Sequence, residues 1–375
     1  MKRFSNWGKT ALVLGFCFCC GLNAAEAKAT KTTAMDFRAK GVNAKYLDLI
    51  CMSTDNEYIC FHSREPRDKD HDDFRNNVYV FKVNADNSLG SYKKYTITGI
   101  PSIEQLNFTP DNKSIIMISK MGATILKLDL ASGKVTTIME HIKGQPGFKV
   151  FPNILMHSDG ELLIQGYFYD KDTFCGPNTI CVLNYNKTGL DAFTLASDVD
   201  KMQVETRRGH DTVIENFTRK DTGFWVMDNK DKSWSCYRWI DGKGVKEFDH
   251  AQEVPGLWGS ESRLLYSAKR APNSYDLVVY DAKTDEKFKI SEGRRTPYSY
   301  VFLADSGKTA IFNDINEQTK TTQIMYARES EGWAPKPLQG LDRRIPMGIE
   351  RIALDGRKVM YLNDDFTLYI ADIEE

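Results

Sequence analysis

Three pairs of adjacent arginines are the side chains best suited to bind an anion. Arg294-Arg295 and Arg343-Arg344 are separated by 49 residues, and each pair is followed, after one residue, by proline. A guanidinium group binds a carboxylate or a phosphate through two parallel hydrogen bonds. The candidate ligand-binding residues, including a third pair further upstream, are Arg207, Arg208, Arg294, Arg295, Arg343 and Arg344.

No catalytic or metal-binding pattern is found in the sequence. The nucleophile motif G-x-S-x-G is missing, and the six histidines are dispersed without H-x-H or H-x-x-x-H spacing. The acidic run 68–73 (DKDHDD) resembles the start of a calcium loop, but the turn glycine is missing and position twelve is Tyr79 rather than glutamate. We therefore predict no catalytic residues, no metal site and no cofactor.

Four cysteines form two pairs of near neighbours, Cys51 with Cys60 and Cys175 with Cys181. A tight turn at Asp55-Asn56 would place Cys51 opposite Cys60 on adjacent antiparallel strands, close enough for a disulfide. A longer turn would shift the register and separate them. In an oxidising compartment both pairs are candidate disulfides.

The elements that position these residues come from a repeat. Its clearest copy begins with the turn 108–113 (FTPDNK), continues with the apolar run 114–118 (SIIMI), and then has 124–130 (TILKLDL) and 131–134 (ASGK). Proline presets the backbone of a turn, and aspartate and asparagine tolerate the left-handed conformation. The apolar runs are too short for helices, so the unit predicts strands joined by tight turns.

Seven copies of this unit follow one another. Their acidic turn residues are Asp55, Asp111, Asp159, Asp221, Glu261, Asp305 and Asp355. The mean spacing of 50 residues suits one four-stranded sheet per copy, and such sheets cover one another's apolar faces when they stack around an axis.

The two ends of the chain complement each other in this pattern. The seventh copy stops after its third strand, at 366–371, and the segment 32–40 before the first copy can supply a fourth. We therefore predict an all-β fold: a seven-bladed β-propeller of four-stranded antiparallel blades, with its ring closed by an N-terminal strand.

The repeat also places the arginine pairs. Arg294-Arg295 and Arg343-Arg344 precede the first strands of consecutive blades, so both lie on the same face, near the mouth of the central channel. Arginines around one mouth would concentrate a positive potential there. The alternative is that they form surface ion pairs with Glu292, Glu350 or Asp342.

The turn and strand motifs resemble the repeat of periplasmic TolB-type propellers. The copy at 108–138 matches that pattern almost position for position, and the resemblance extends over residues 46–372. It implies a propeller of the WD-like kind but no particular function. TolB-type proteins also carry a small α/β domain before the propeller, and we expect none here, because there is no room for it between residue 28 and the first blade.

The first 27 residues have the pattern of a signal peptide. A basic start and an apolar run at 11–22 precede Ala25 and Ala27, which fit the small-x-small rule for cleavage. Twelve apolar residues are too few to cross a bilayer. We predict a signal peptide at 1–27, an N-terminal segment at 28–45, a propeller at 46–375, and a periplasmic or secreted protein.

Removal of residues 1–27 leaves 47 basic and 50 acidic residues, a net charge of −3. This near balance argues against nucleic acid as a partner. We predict a monomeric, non-catalytic binding or scaffold module for a protein or an anionic ligand at one propeller face, without a membrane span. The alternative is a propeller enzyme, a lyase or lactonase, acting on an anionic saccharide or lactone.

Overall fold

The computed structural model describes most of the chain from Ala27 onward. The described residues are 27–43, 47–66, 74–119, 124–142, 145–156, 162–170, 173–174, 179–195, 214–217, 223–228, 233–240, 244–259, 263–298, 301–304, 307–316, 321–341, 346–352, 356–363 and 367–374.

Within these residues the structure is almost entirely β. Its strands, in chain order, are β1 Lys28–Ala34, β2 Leu47–Met52, β3 Tyr58–Pro66, β4 Phe74–Val83, β5 Leu89–Ile97, β6 Gln105–Phe108, β7 Ser114–Ser119, β8 Thr124–Asp129, β9 Val135–Glu140, β10 Gly147–Met156, β11 Leu162–Asp170, β12 Thr173–Phe174, β13 Thr179–Leu183, β14 Phe193–Leu195, β15 Ile214–Phe217, β16 Gly223–Asp228, β17 Ser233–Ile240, β18 Gly244–Ala251, β19 Glu253–Gly259, β20 Arg263–Ala271, β21 Ser274–Asp281, β22 Glu286–Arg294, β23 Val301–Leu303, β24 Thr309–Asn316, β25 Thr321–Arg328, β26 Lys336–Pro337, β27 Pro346–Ile352, β28 Lys358–Asn363 and β29 Leu368–Glu374. Short 3₁₀ turns lie at Arg38–Lys40, Gly189–Ala192 and Glu329–Glu331.

These strands form antiparallel sheets of four strands, one sheet for each copy of the repeat. In the described part of the chain the sheets are, from first to seventh, β2–β5, β6–β9, β10–β14, β15–β18, β19–β22, β23–β26 and β27–β29 with β1. The third sheet has a short additional strand, β12, paired with β11. The first strands of several consecutive sheets contact one another. This contact places the first strands around a common central axis.

The pattern of burial follows this arrangement. In the second sheet every residue of β7 is buried, whereas four of the six residues of β9 are exposed. A strand that is apolar throughout is covered on both faces, and one with charged residues lies at the edge. In this sheet the second strand therefore belongs to the core, and the fourth strand faces outward.

The apolar clusters lie between sheets. One cluster joins Ile115 and Met117 of the second sheet to Val78 and Cys60 of the first. Further clusters join the second sheet to the third, the fourth to the fifth, the fifth to the sixth, the sixth to the seventh, and the seventh to the first. Each sheet thus covers a face of its neighbour, as in a β-propeller.

The N-terminal strand belongs to the last sheet. Strand β1 pairs antiparallel with β29, Lys28 opposite Glu374 and Ala34 opposite Tyr369. The strand is Lys28–Ala34 and does not extend to residue 40, because Met35 and Phe37 turn inward. Phe37 packs edge-on against Phe61 of the first sheet, with ring centroids 5.0 Å apart. The chain therefore leaves the seventh sheet through a segment whose apolar residues, Met35, Phe37 and Val42, are buried in the cluster between the seventh sheet and the first.

Strand β1 also contacts the sixth sheet. The backbone N–H of Ala29 donates to the carbonyl of Gln339 at 2.7 Å, and the N–H of Ala27 donates to the Tyr326 hydroxyl at 2.9 Å. Gly340 follows with φ of 80°, and a Cβ there would lie 2.3 Å from the carbonyl oxygen of Ala29. This position requires glycine both for its conformation and for its space.

The pair Cys51 and Cys60 lies as the predicted register requires. The two residues face each other across β2 and β3, and both are buried. Their sulfur atoms lie 2.8 Å apart and both side chains are thiols here, so the disulfide stays a prediction. Cys181 is buried in β13, and Cys175 lies outside the described residues.

We expect Gly340→Ala to destabilise the fold more than Gly99→Ala. Both glycines have φ near 80°, but a Cβ at Gly99 meets nothing within 4 Å. Gly99→Ala should therefore lower the free energy of unfolding by about 1–2 kcal/mol, the cost of the left-handed conformation. Gly340→Ala should lower it by about 3 kcal/mol or more, because β1 must move. Equal losses in urea unfolding would show that the contact with Ala29 is unimportant.

We expect Cys51 and Cys60 to be bonded in protein recovered from an oxidising compartment. Alkylation under denaturing conditions without reductant should leave both unmodified, and their linked peptides should be lighter by two hydrogen atoms. The same digest tests Cys175 with Cys181. Full alkylation of Cys51 and Cys60 would contradict the first disulfide.

Candidate functional site

The antiparallel order of strands gives the propeller two different ends. The connections between first and second strands, and between third and fourth, lie at one end, which we call the turn face; it includes 53–57, 84–88, 109–113 and 282–285. The connections between second and third strands, and the links to the next sheet, lie at the other end, the loop face; it includes 98–104, 272–273 and 295–298.

On the turn face the repeat residues have a structural role. Asn56, Asn112, Gly307 and Gly356 occupy corresponding positions in four turns, with φ of 60°, 56°, 70° and 73°. Asparagine and glycine are the residues that adopt this left-handed conformation at least cost. The left-handed backbone conformation of the turn therefore explains why the repeat motif has either asparagine or glycine at this position.

The same turns bond to the turns of the preceding sheet. The Asn112 side chain accepts a hydrogen bond from the backbone N–H of Thr54 at 3.0 Å and donates one to the Thr54 hydroxyl at 2.7 Å. The carbonyl of Gly307 accepts from the Arg263 guanidinium at 3.1 Å. A Cβ at Gly356 would lie 2.9 Å from that of Ala304. The turn face is thus held together between consecutive sheets.

Charged side chains add to the contacts at two junctions of the turn face. Arg263 of the fifth sheet bonds to Asp281 at 2.7 Å and also to Glu329 of the sixth sheet. Burial raises the pKa of Asp281 and is the largest single influence on it, but the hydrogen bond and charge of Arg263 together with the backbone N–H groups of Lys283 and Thr284 lower the pKa below its ordinary value. Between the seventh and first sheets, Lys358 donates to Asn87 at 2.7 Å and pairs with Asp372.

On the loop face, the first of the predicted arginines is bound to its neighbour. Arg294 ends β22, pairs with Asp314 of the sixth sheet, and donates to the carbonyl of Ile315 at 2.6 Å. Its guanidinium also lies 4.6 Å from the centre of the Tyr298 ring. The side chain is only 11% exposed. Arg294 therefore joins two sheets, and its partner is Asp314, since Glu292 bonds to Lys289.

Arg295, the next residue, is exposed on the loop face. The structure describes two of the six predicted arginines, Arg294 and Arg295, and of these two Arg295 is the exposed one. Arg207, Arg208, Arg343 and Arg344 lie outside the described residues, so their grouping around the channel mouth stays a prediction.

A charged cluster on the loop face was not predicted from the sequence. Arg270 of β20 bonds to both carboxylate oxygens of Asp249, at 2.6 and 2.9 Å, and lies 3.4 Å from Asp276. Tyr266 donates to Asp249 at 2.7 Å, and Lys287 lies 3.6 Å from it. The cluster joins the fourth sheet to the fifth. A sequence signal was present, because Arg270 and Asp276 interrupt apolar strand patterns.

The cluster determines the ionisation of Asp249. Burial raises the pKa of Asp249 and is the largest single influence on it, but the hydrogen bonds from Arg270 and Tyr266 and the charges of Arg270 and Lys287 together hold the pKa below its ordinary value of 3.8. The carboxylate is therefore charged at neutral pH. A bidentate arginine pair of this kind is a strong contact, and here it is structural.

Three further observations concern the described residues. His62 is buried in β3, where its Nε2 lies 3.0 Å from the side-chain oxygen of Asn76. Across the described parts of the chain, no group of three histidine, cysteine, aspartate or glutamate side chains could hold a metal ion. In the same residues no helix is long and apolar enough to cross a membrane.

Comparison with solved structures supports the propeller fold. The β-propeller domain of the Trilobed protease from Pyrococcus furiosus is 16% identical, covers 88% of this chain and 96% of its own, and has a TM-score of 0.54. The Pan2 WD40 domain of Neurospora crassa is 10% identical over 92% of this chain and 95% of its own, with a TM-score of 0.53.

Enzymes with propellers are similar as well. An oligogalacturonate lyase from Vibrio parahaemolyticus is 12% identical over 88% of this chain and 90% of its own, with a TM-score of 0.54. An acylaminoacyl peptidase from Pyrococcus horikoshii is 13% identical with a TM-score of 0.53, and this chain spans about half of it, 49%. No family model and no curated protein matches the sequence. Identities this low establish the fold alone.

We expect Asp249→Asn to lower the free energy of unfolding by about 2–3 kcal/mol at pH 7. Removing one partner of a fully buried ion pair costs about 3–5 kcal/mol. The loss here should be smaller, because Arg270 is partly exposed and still has Asp276 as a partner. Glu292→Gln, which removes an exposed ion pair, should cost less than about 1 kcal/mol.

The same variant should change the dependence of stability on pH. The pKa of Asp249 is lower in the folded protein than in the unfolded protein. The charged carboxylate therefore stabilises the fold at pH values above the unfolded pKa, and this stabilisation is lost as the pH falls below about 4. In urea titrations, the difference in free energy of unfolding between wild type and Asp249→Asn should therefore shrink as the pH falls from about 5 to about 2. A constant difference across that range would contradict the assigned pKa direction.

Proposed function

We propose that this protein is an exported, non-catalytic binding propeller whose loop face captures a protein or an anionic ligand. The observation that carries the proposal is the contrast between the two faces. The repeat residues of the turn face are engaged between sheets, whereas Arg295 is exposed on the loop face, before the first strand of its blade. In the sequence, Arg344 is the corresponding residue of the next repeat, 49 positions later.

The charge on that face favours an acidic ligand. Arg294 fixes the link between the fifth and sixth sheets and so holds the neighbouring Arg295 in place. An arginine on a fixed backbone loses little conformational freedom on binding a carboxylate. Arg207, Arg208, Arg343 and Arg344 would add to the positive potential if they surround the same mouth.

The proposed location follows from the N-terminal sequence. A signal peptide at 1–27 would direct the propeller at 46–375 to the periplasm or the medium, with the segment at 28–45 completing the last blade. The likeness of the turns to the TolB-type repeat supports the same location. The partner is a protein or an anionic ligand in that compartment, and the propeller acts as a monomer.

An enzyme is the second candidate, favoured by one observation. The fold is similar to that of an oligogalacturonate lyase over 88% of this chain. A lyase or lactonase of this fold would place polar residues of the loop face around an anionic saccharide or lactone. Metal analysis of the purified protein separates the two, because stoichiometric divalent metal favours the enzyme.

We expect the double variant Arg295→Glu, Arg344→Glu to lose the partner that the wild type captures from an extract of the exported proteins. Reversing two charges replaces attraction by repulsion at one face and should reduce capture at least tenfold. Lys40→Glu, Lys283→Glu makes the same change in net charge elsewhere and should capture normally. Unchanged capture by the arginine variant, with a normal thermal midpoint, would refute the role of this face.

A further inference from the structure

A groove opens between the first and second sheets at the rim of the turn face. Its volume is about 450 Å³. The floor is apolar and aromatic and includes Tyr58, Val80, Tyr95 and Leu130. The Tyr95 hydroxyl donates to the carbonyl of Leu130 at 2.6 Å, so the two walls are joined at the base. Three lysines line the rim: Lys82, Lys93 and Lys113.

A second groove, of about 410 Å³, occupies the equivalent position between the second and third sheets. Its lining also combines a tyrosine with three lysines: Tyr185, Lys127, Lys134 and Lys187. Lys127 lies 5.2 Å from the centre of the Tyr185 ring and donates to Asn186 at 2.8 Å. The same composition thus recurs one blade further along.

The charge of the two grooves is strongly unbalanced. Among the residues that line them, six are lysines and one is a carboxylate, Asp129, which both grooves share. Asp129 accepts hydrogen bonds from the backbone and the hydroxyl of Ser132, at 2.7 and 2.6 Å, and these lower its pKa. Asp111 adjoins the rim through Lys113, which helps to lower the pKa of Asp111.

We propose that an acidic, extended segment of a partner protein binds across these two grooves. Its carboxylates would pair with the rim lysines, and apolar side chains between them would enter the tyrosine-lined floors. A polyanion without apolar groups would use the lysines but leave the floors unfilled, so the composition favours a peptide. This site lies at the opposite end of the blades from Arg295 and is independent of the loop-face proposal.

The test uses two fluorescein-labelled 14-residue peptides in fluorescence anisotropy with the mature protein. One is rich in glutamate with two tyrosines, and the other has glutamine in place of each glutamate. We expect the acidic peptide to bind and the glutamine peptide to bind at least tenfold more weakly. A triple variant should weaken binding of the acidic peptide about tenfold, because it removes three exposed ion pairs. Its substitutions are Lys82→Gln, Lys113→Gln and Lys134→Gln.

Two matched variants sharpen the result. Lys28→Gln, Lys40→Gln, Lys283→Gln removes the same charge elsewhere and should change binding less than twofold. Ser91→Trp fills the first groove without a charge change and should also weaken binding. Arg295→Glu should leave this binding unchanged, so failure here and failure of the loop-face proposal are distinguishable.

Several outcomes would overturn the proposal. One is no binding of the acidic peptide at millimolar concentration, with all variants folded by circular dichroism. Another is equal weakening by the two lysine triples, which would indicate a diffuse charge effect. A third is binding of dextran sulfate that depends on the groove lysines while the acidic peptide does not bind, which would assign the grooves to an anionic glycan.

Discussion

The inner strands of a sheet in this protein are apolar on both faces, and neither face can be left in water. In the second sheet β7 is buried along its whole length, so this sheet must lie between two others, the first and the third. The clusters that include Phe61, Ile115 and Tyr326 each draw their residues from two consecutive sheets. Burial of apolar surface at about 25 cal/mol per Å² is the main favourable term in such a fold. The radial arrangement, the two faces and the grooves between blades all follow from it.

Polar contacts then fix how neighbouring sheets sit against one another. On the turn face these are short-range bonds made by the repeat residues, such as Asn112 with Thr54. On the loop face they are ion pairs with partners specific to each junction, such as Arg270 with Asp249. The repeat therefore accounts for one end of the molecule, while the other end differs from blade to blade. Sites of recognition are commonly built from such variable connections.

Much of the fold could be predicted from the sequence because its information is local. The turn 108–113 specifies its own geometry, and the register that brings Cys51 opposite Cys60 follows from the turn between them. The bounds of β1 were less predictable, because Met35 and Phe37 pack in a cluster that includes Met360 and Ile370 of the last sheet, which is distant in sequence. In the sequence, the apolar side chains of Met35 and Phe37 are equally compatible with a longer strand and with a link between sheets whose apolar side chains are buried.

The candidate site was predicted less well for the same reason. The position of Arg294 on the loop face follows from the repeat, but its partner does not. Glu292 is closer in sequence, yet Asp314 is closer in space because the sixth sheet packs alongside. The charges of Asp249, Arg270 and Asp276 also come together only when two sheets meet. Such pairings depend on tertiary packing and leave no pattern of spacing in a single sequence.

The pairing of β1 with the end of the chain has a kinetic consequence. The bond between Ala27 and Tyr326 joins residues 299 positions apart, so it forms only after most of the chain has been ordered. Until then β29 presents a bare edge, with backbone groups ready to bond to any strand that arrives. The first strand of a neighbouring molecule fits that edge as well as the molecule's own. Concentrated refolding should therefore favour strand exchange, and dilute refolding the pairing of β1 with β29 of the same molecule.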